Sequence, residues 1–214
     1  MTELLAADEG PHPGALQEEW TFSWWSVDGS FGAFSGYRLV GAGDTWYWWA
    51  LARRGQPLLH VTEWSIPRRS NPLIAKAQAM WAELICEAPF EQWTVGNETY
   101  AVALDDPADA LGRAYGDAQP IASDIEWYAS APASSIDDGY EQQGLVHGVV
   151  ELVGGPLHVD GLPAHRTHRW SDHTLPPVPL PPVFAHLGLR APFRLPDSSV
   201  LDVVLTADGW RGRS

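Results

Sequence analysis

The chain has 214 residues and a mass of 23.5 kDa, which suits one ordinary domain, or a domain with a long tail, and is too small for two full-sized enzyme domains. Lys and Arg number 13 against 27 Asp and Glu, so the formal net charge is −14 and nucleic acid is disfavoured as a partner. The single cysteine, Cys86, excludes an internal disulfide and a cysteine-based zinc finger. The sequence shows neither a signal-peptide pattern nor an apolar run of membrane-span length, so we expect a cytoplasmic protein without a membrane span.

Composition divides the chain into three parts. Residues 1–18 are acidic and interrupted by Gly and Pro, which predicts a flexible leader. Residues 19–173 carry a strand pattern and form the predicted β domain. Five prolines in the eight residues Leu175–Pro182 favour an extended polyproline segment, a linker or an outer wrap. Residues 174–214 are therefore predicted to be a Pro-rich extension with a final strand at Ser199–Thr206.

Short alternating segments separated by turn residues predict an antiparallel all-β domain. Asp28-Gly29, a strong two-residue hairpin signal, separates Trp20–Val27 from Phe31–Val40. Thr45–Ala52 and Leu58–Ile66 follow after further turns, so we expect a four-stranded meander. Later strands are predicted at Glu91–Val95, Asn97–Leu104, Ile121–Ser130, Tyr140–Val153 and Leu157–Val159, with one short helix near residues 107–114.

The stretch from Asn71 to Cys86 is ambiguous. Asn71 could cap a helix with Pro72 at its first position, and apolar residues recur at helical spacing. A strand would equally place Ala75, Ala77, Ala79, Trp81 and Ile85 on one face, and long bent strands are common where a sheet curls into a barrel. The residues alone leave both interpretations open.

Twelve tryptophans stand out in the composition. Each indole can bury roughly 200 Å² of mostly apolar surface, so a domain this rich in Trp either has an irregular aromatic core or lines a cavity. If a cavity is present, we expect its ligand-binding residues to be Trp25, Trp46, Trp48, Trp64, Trp81, Trp127, Tyr100 and Trp170.

Five histidines lie within 27 residues, from His147 to His173. An extended backbone would send His165 and His168 to opposite faces, and no carboxylate or cysteine accompanies them at ligand spacing, so we expect no metal site. On the other hand, Arg166 and His168 would share a face with Trp170 and could hold an anionic or carbonyl oxygen beside an indole. The alternative is that Arg166 binds carbonyl groups at the strand ends and closes the barrel.

Three carboxylates are candidate proton donors. Glu63 shares a predicted strand face with Leu59 and Val61, while Glu126 lies on the same face as Asp124. Burial among apolar neighbours raises the pKa of a carboxyl group and allows it to act as an acid near neutral pH. The alternative for each is a salt bridge to an arginine.

Short motifs spread over residues 20–173 resemble the lipocalin-like superfamily that includes hydroxyneurosporene synthase (carotenoid hydratase) and the AttH-like proteins. In chain order they are Leu73–Glu87 running into Pro89–Trp93, Glu98–Asp105, Asp124–Trp127, His147–Val150, and Val159–Gly161 followed by Arg166–Trp170. The last is similar to the family's G-x-R-D-H-S-W-G block, with Thr167, Arg169 and Ser171 in place of its Asp, Ser and final Gly. Known members pair two lipocalin-like halves, whereas this chain has room for one.

The resemblance implies an all-β, antiparallel, lipocalin-like barrel or half-barrel of about nine strands, and it favours a long strand over Ala75–Cys86. The function we expect is binding of a small hydrophobic ligand, isoprenoid or polycyclic, in a Trp-lined pocket. The alternative is a cofactor-independent hydratase, isomerase or cyclase in which Glu63, Glu126 or Asp124 protonates an alkene while Arg166 and His168 orient water. No cofactor is expected, and a homodimer could rebuild a cleft between halves.

Overall fold

The computed structural model describes residues 4–183 and 188–213. Within these ranges the chain forms fifteen strands and two 3-10 helices, Ala6–Glu9 and Pro107–Leu111. No helix there has both the length and the apolar character needed to cross a membrane. The strands are β1 (Gln17–Trp25), β2 (Phe31–Val40), β3 (Asp44–Arg53), β4 (Leu58–Pro67), β5 (Ile74–Ala77), β6 (Met80–Ala88), β7 (Gln92–Leu104), β8 (Asp117–Ala129), β9 (Ser134–Ile136), β10 (Gly139–Glu151), β11 (Leu157–Ser171), β12 (Pro182–Val183), β13 (Leu189–Arg194), β14 (Val200–Thr206) and β15 (Gly209–Arg213).

The first eleven strands form one antiparallel sheet that curls into a ring. Their order is β4-β3-β2-β1-β11-β10-β8-β7-β6-β5, with β9 paired to β10. Strand β4 also pairs with β7, through Leu58–His60 and Val102–Leu104, and this pairing closes the ring. The predicted all-β, antiparallel barrel or half-barrel is confirmed, with eleven strands in this sheet where the pattern indicated about nine.

The ambiguous stretch is a hairpin of β5 and β6. The two strands pair antiparallel, with Ala77 opposite Met80 across the turn at Gln78-Ala79. The expected strand conformation is therefore confirmed, but the expected single long strand is wrong. Strand wins over the local helical pattern because alternate side chains, including Ala82 and Leu84, pack in the interior core.

Inward-pointing side chains fill the ring. Trp20, Phe22 and Trp24 alternate along β1, and they pack with Trp93 of β7 and Trp127 of β8 in one cluster. Residues between them on β1, such as Glu19 and Thr21, are directed to the other face by the two-residue repeat of a strand. The ring therefore has an aromatic interior on one face of the sheet.

A second core covers the outside of β2, β3 and β4. Strands β12 to β15 form a separate four-stranded sheet, in the order β12-β15-β14-β13, that packs against this outer face. Phe34 of β2 lies 6.1 Å from Phe193 of β13 and 5.7 Å from Trp210 of β15, measured between ring centroids. Because both faces of β1 to β3 are covered, nearly every residue in those strands is buried.

Two tryptophans lie flat over glycines of neighbouring strands. A Cβ added at Gly144 of β10 would overlap the indole of Trp127, and one added at Gly36 of β2 would overlap that of Trp48. Glycine leaves room for these rings because it has no side chain. The indoles can thus approach the backbone of the sheet closely on both its faces.

His60 connects the ring to the small sheet. Its Nε2 lies 3.0 Å from the carbonyl oxygen of Pro192, to which it donates, and its ring stacks on Phe193 at 4.9 Å. Burial lowers the pKa of His60 to about 4, although the bond to Pro192 opposes this shift. The neutral imidazole is therefore the form that the folded protein accommodates.

We predict that acid weakens the fold through His60. Between pH 6.5 and pH 4 the unfolded chain takes up a proton that the folded chain does not, so this residue's contribution is present above pH 6.5 and falls by about 3 kcal/mol as the pH approaches 4. His60→Gln should lose less free energy of unfolding between pH 7 and pH 5 than the wild type, by about 2 kcal/mol. Urea denaturation at both pH values measures this difference.

The matched control is His158→Gln at an exposed position, which should follow the wild type. Equal pH dependence of His60→Gln and the wild type would contradict the prediction.

Candidate functional site

One end of the ring is occupied by the N-terminal segment. Glu9, at the end of the first 3-10 helix, is only 2% exposed. Its carboxylate accepts two hydrogen bonds from Arg166 of β11, at 2.6 and 2.9 Å. It also accepts one from the indole N–H of Trp93, at 2.9 Å, and one from the backbone N–H of Phe90, at 2.8 Å. Four donors therefore hold this carboxylate inside the barrel end.

Arg166 is surrounded by aromatic rings as well as by its carboxylate partner. Its guanidinium carbon lies 4.7 Å from the ring centroid of Trp127, 5.1 Å from that of Tyr140 and 5.7 Å from that of Trp93. The same guanidinium donates to the side-chain oxygen of Gln142 at 2.6 and 3.1 Å. The face shared by Arg166 and its neighbours is therefore the interior face, and the oxygen that Arg166 holds belongs to the chain itself.

His168 lies two residues further along β11, nearer the end of the strand, and is likewise fully buried. Its Nε2 is 2.8 Å from Oε1 of Glu18, its Nδ1 is 3.3 Å from the Tyr140 hydroxyl, and its ring stacks on Trp20 at 4.3 Å. Burial lowers the pKa of His168, and the carboxylate of Glu18 only partly offsets this effect. Both ring nitrogens are thus held by named partners.

His12 of the N-terminal segment completes the group. Its Nδ1 lies 2.8 Å from the same oxygen of Glu18 that faces His168, and its backbone N–H donates to the other oxygen at 2.8 Å. Its ring stacks on Trp170 at 3.9 Å. An open pocket of about 750 Å³ is lined by His12 and Glu18 together with Arg68, Arg69 and other residues.

Sequence reasoning missed Glu9, His12 and Glu18 because an acidic stretch rich in Gly and Pro predicts a leader. No local motif marks them. The one signal in the sequence was indirect: basic residues on a strand that is buried on both faces need anionic partners from somewhere in the chain. The described part of residues 1–18 packs on the barrel, although the division into three domains stays a prediction.

The middle of the barrel has little free space. A void of about 20 Å³ is lined by Trp24, Trp49 and Trp127, among others. This is space for about one water molecule, which needs roughly 10–15 Å³, and it is far below the roughly 300–1,000 Å³ of small-molecule sites. Tryptophans fill this part of the interior, so it has no room for a guest molecule in this conformation.

Four of the tryptophans predicted to bind a ligand, Trp25, Trp46, Trp48 and Trp64, belong to the outer core under the small sheet. Arg38 lies over the rings of Trp46 and Trp48, at 5.6 and 5.7 Å.

Arg38 forms an ion pair with Glu19, which also receives a 2.6 Å bond from Arg169. Burial alone would raise the pKa of Glu19, but the two arginines outweigh it and lower the pKa. This outer ion cluster links the neighbouring strands β2, β1 and β11 of the same sheet.

Of the three predicted acids, Glu63 lies on β4 and is separate from Asp124 and Glu126, which share β8. Glu63 on β4 is half-buried, and burial raises its pKa. Asp124 and Glu126 on β8 are exposed, and Glu126 accepts a 2.9 Å bond from the Tyr128 hydroxyl. Within residues 4–183 and 188–213, none of the three bonds to Arg166 or His168.

Trp81 and Tyr100 line an open recess beside the β5–β6 turn, with a volume of about 860 Å³. It is enclosed by that turn, by the middle of β7 and β8, and by the end of β10. A smaller groove of about 300 Å³ shares Trp81 and Glu98 with it and contains Asp124. Of the predicted ligand-binding residues, these two aromatics are therefore the pair that the structure brings together around open space.

A family model matches residues 5–181, more than half of the chain, and its description is a domain of unknown function, DUF7064. The chain belongs to the DUF7064 family. The matched range contains the N-terminal segment, the whole eleven-stranded sheet and most of the Pro-rich segment, so Glu9 and Arg166 both fall within the family's domain. No curated protein and no solved structure matches the chain.

We predict that removing the charge of Glu9 strongly destabilises this DUF7064 protein. Glu9→Gln keeps the shape of the side chain but leaves the Arg166 guanidinium buried without a counter-ion. Breaking a buried ion pair in this way costs about 3–5 kcal/mol. Urea denaturation of Glu9→Gln and the wild type measures the difference.

Glu91→Gln, at an exposed position nearby in sequence, is the control and should change the free energy of unfolding by less than about 0.5 kcal/mol. A Glu9→Gln protein as stable as the control would show that the ion pair contributes nothing.

Proposed function

We propose that this protein binds a small hydrophobic ligand in the recess formed around Trp81 and Tyr100. The observation that carries the proposal is the size and lining of this recess. Its volume of about 860 Å³ lies within the roughly 300–1,000 Å³ of small-molecule sites. Its apolar lining residues are Ala77, Ala79, Met80, Trp81, Tyr100, Pro120, Ile121, Ala122, Leu152 and Val153.

Apolar side chains that line the recess are exposed to solvent, and a bound ligand would bury them. Tyr100 is 58% exposed and Val153 is 68% exposed. Burying apolar surface contributes roughly 25 cal/mol per Å², and adjacent exposed apolar groups often mark binding sites. Trp81 lies against Gly96, in ordinary contact distance of the position that a Cβ would take. Trp81 therefore lies over β7 at the boundary between the recess and the smaller groove.

Charged groups stand beside the apolar lining. Lys76, the only lysine of the chain, lines the recess together with Glu98 and Glu151. An apolar body against Trp81 and Tyr100 with a polar end near these charges matches this arrangement. The isoprenoid or polycyclic class expected from the sequence has this character. Tryptophans fill the middle of the barrel, which leaves no room for a ligand there. The proposed site is therefore the open recess beside the β5–β6 turn.

We predict that Trp81→Ala and Tyr100→Ala weaken binding of retinol, used as an isoprenoid probe, by about tenfold or more, equivalent to about 1.4 kcal/mol each. Both substitutions remove aromatic contact area from the recess. Titration of retinol, followed by energy transfer from tryptophan to the bound polyene, gives the dissociation constants. Far-UV circular dichroism confirms that each variant is folded.

Tyr115→Ala is the matched control, because Tyr115 is 76% exposed and does not line the recess. It should bind retinol as the wild type does. Equal affinity of all four proteins, or no retinol binding by the wild type, would contradict a ligand site in this recess.

A second candidate is the cofactor-independent hydratase activity that the family resemblance suggests. The observation in its favour is Glu63, whose raised pKa suits a proton donor. Glu63 would give its proton to one carbon of an alkene, water would add to the resulting cation, and the proton lost by that water would return to Glu63. The net reaction adds one water molecule across the double bond.

We predict that, if this activity exists, Glu63→Gln lowers the turnover of a linear polyene such as lycopene by about 10²–10⁴-fold. Product formation is followed by chromatography and mass spectrometry. The exposed-carboxylate variant Glu126→Gln should retain full turnover. A wild-type protein without turnover, or unchanged turnover by Glu63→Gln, would remove this candidate and leave the binding proposal unaffected.

A further inference from the structure

The cluster of His12, Glu18 and His168 has the composition of a metal site. One ligand atom from each residue lies within 4.8 Å of the other two. The residues come from the N-terminal segment, from β1 and from β11, so only the fold brings them together. We propose that these three side chains bind a divalent transition-metal ion, with zinc as the ion that best suits the donor set.

The charge balance of the barrel end supports a cation here. Within the described ranges, the buried carboxylates are those of Glu9, Glu18 and Glu19. Glu9 has a guanidinium partner in Arg166, and Glu19 has two in Arg38 and Arg169. Among the residues that the structure describes, Glu18 forms ion pairs only with imidazoles. A buried carboxylate without a permanent cation is costly, and a metal ion between the two imidazoles would supply the missing charge.

The geometry needs only a small adjustment to accept an ion. Two imidazole nitrogens and one carboxylate oxygen form a His₂Glu set, which recurs in catalytic zinc sites. Both nitrogens now lie 2.8 Å from the same Glu18 oxygen, at hydrogen-bond distance. Ligands about 2.0–2.1 Å from a tetrahedral zinc ion lie roughly 3.3 Å apart, so each nitrogen–oxygen distance would lengthen by about half an ångström, and the two nitrogens already lie within 4.8 Å of each other.

The surroundings hold both imidazoles in place. The second nitrogen of His168 lies 3.3 Å from the Tyr140 hydroxyl. The second nitrogen of His12 makes no hydrogen bond in this structure, but it lies 3.5 Å from a carboxylate oxygen of Asp8, which a small rotation would bring within hydrogen-bond distance. Histidines that ligate metals usually donate their other N–H to such a group, which fixes the ring orientation. Trp170 stacks on His12 and restricts it further.

An ion in this cluster would be accessible from solvent. His12 and Glu18 line the open pocket of about 750 Å³ described above. Three protein ligands leave one tetrahedral position for water, which is the arrangement of catalytic rather than structural zinc sites. Arg68 and Arg69 line the same pocket, so an anionic molecule is the class of second ligand that it favours. This inference departs from the expectation of no metal site, which considered only the histidines from His147 onward.

The test uses the full chain after treatment with a chelator and removal of the chelator. Zinc is added, the protein is separated by gel filtration, and bound metal is measured by elemental analysis. Cobalt in place of zinc reports on coordination through its visible absorption. We expect one metal ion per chain for the wild type and for His158→Ala, an exposed-histidine control. His12→Ala should lose the ion, and Asp8→Asn should bind it about tenfold more weakly.

Absence of zinc and cobalt binding by the folded wild type would overturn the proposal, as would wild-type affinity in a folded His12→Ala protein. Circular dichroism and tryptophan fluorescence of the metal-free variants show whether each is folded. If His12→Ala does not fold, Asp8→Asn and the cobalt spectrum decide, because a tetrahedral cobalt spectrum is not produced by adventitious surface binding. Retinol binding in the recess is independent of this site and should persist in Asp8→Asn.

Discussion

Three basic side chains of β11, Arg166, His168 and Arg169, are buried at one end of the barrel, and three glutamates from the N-terminal part of the chain face them. Glu9 pairs with Arg166 and Glu18 with His168 on the inner face, while Glu19 pairs with Arg169 on the outer face. Unpaired charges at these depths would be strongly unfavourable. The closed barrel end therefore depends on the N-terminal residues. The packing of β1 against β11 and the cluster around Glu18 depend on the same ion pairs.

The tryptophans have a structural role that determines where a ligand can bind. Trp24, Trp49 and Trp127 leave a void of only about 20 Å³ inside the ring, and Trp48 lies in the layer between the ring and the small sheet. The rings of Trp48 and Trp127 pack directly over Gly36 and Gly144, where any side chain would collide with them. Ligand binding is consequently proposed where an indole stands at the edge of the packed region, at Trp81.

The two proposed sites are chemically different and lie in different parts of the fold. The recess of Trp81 combines apolar walls with Lys76 at its side, on strands β5 to β8 and the end of β10. The cluster of His12, Glu18 and His168 is polar, with Glu18 and His168 buried and His12 partly exposed, and it lies on the N-terminal segment, β1 and β11. Each could serve alone, and one protein with both would hold an apolar molecule at one position and an activated water at another.

Much of the fold could be predicted from the sequence, because strand alternation and turn chemistry are local. Asp28-Gly29 marked the connection between β1 and β2, although this connection spans residues 26–30 and is longer than the predicted two-residue turn; Gly29 has a positive φ of +64° within it. At the β5–β6 hairpin, periodicity left helix and strand open, and a two-residue turn interrupts the continuous strand that the family resemblance favoured. The sequence also identified Arg166 and His168 as candidate site residues, because both share a strand face with Trp170 and both can donate hydrogen bonds.

The partners of that pair were decided only by the tertiary structure. Glu9 and Arg166 are 157 residues apart, and Glu18 and His168 are 150 apart, so no spacing rule connects them. The surroundings of Trp46, Trp48 and Trp64 were also decided by the tertiary structure. Local alternation does not indicate what covers a strand face, and in the structure the small sheet covers this one. The amino-acid sequence alone determined an acidic, tryptophan-rich protein made of β-strands. Composition gives the first two properties, and the strands follow from side-chain alternation and turn residues, which act over only a few positions. Which charges meet, and which aromatic faces stay open, depended on how the sheet closed and on what packed against it.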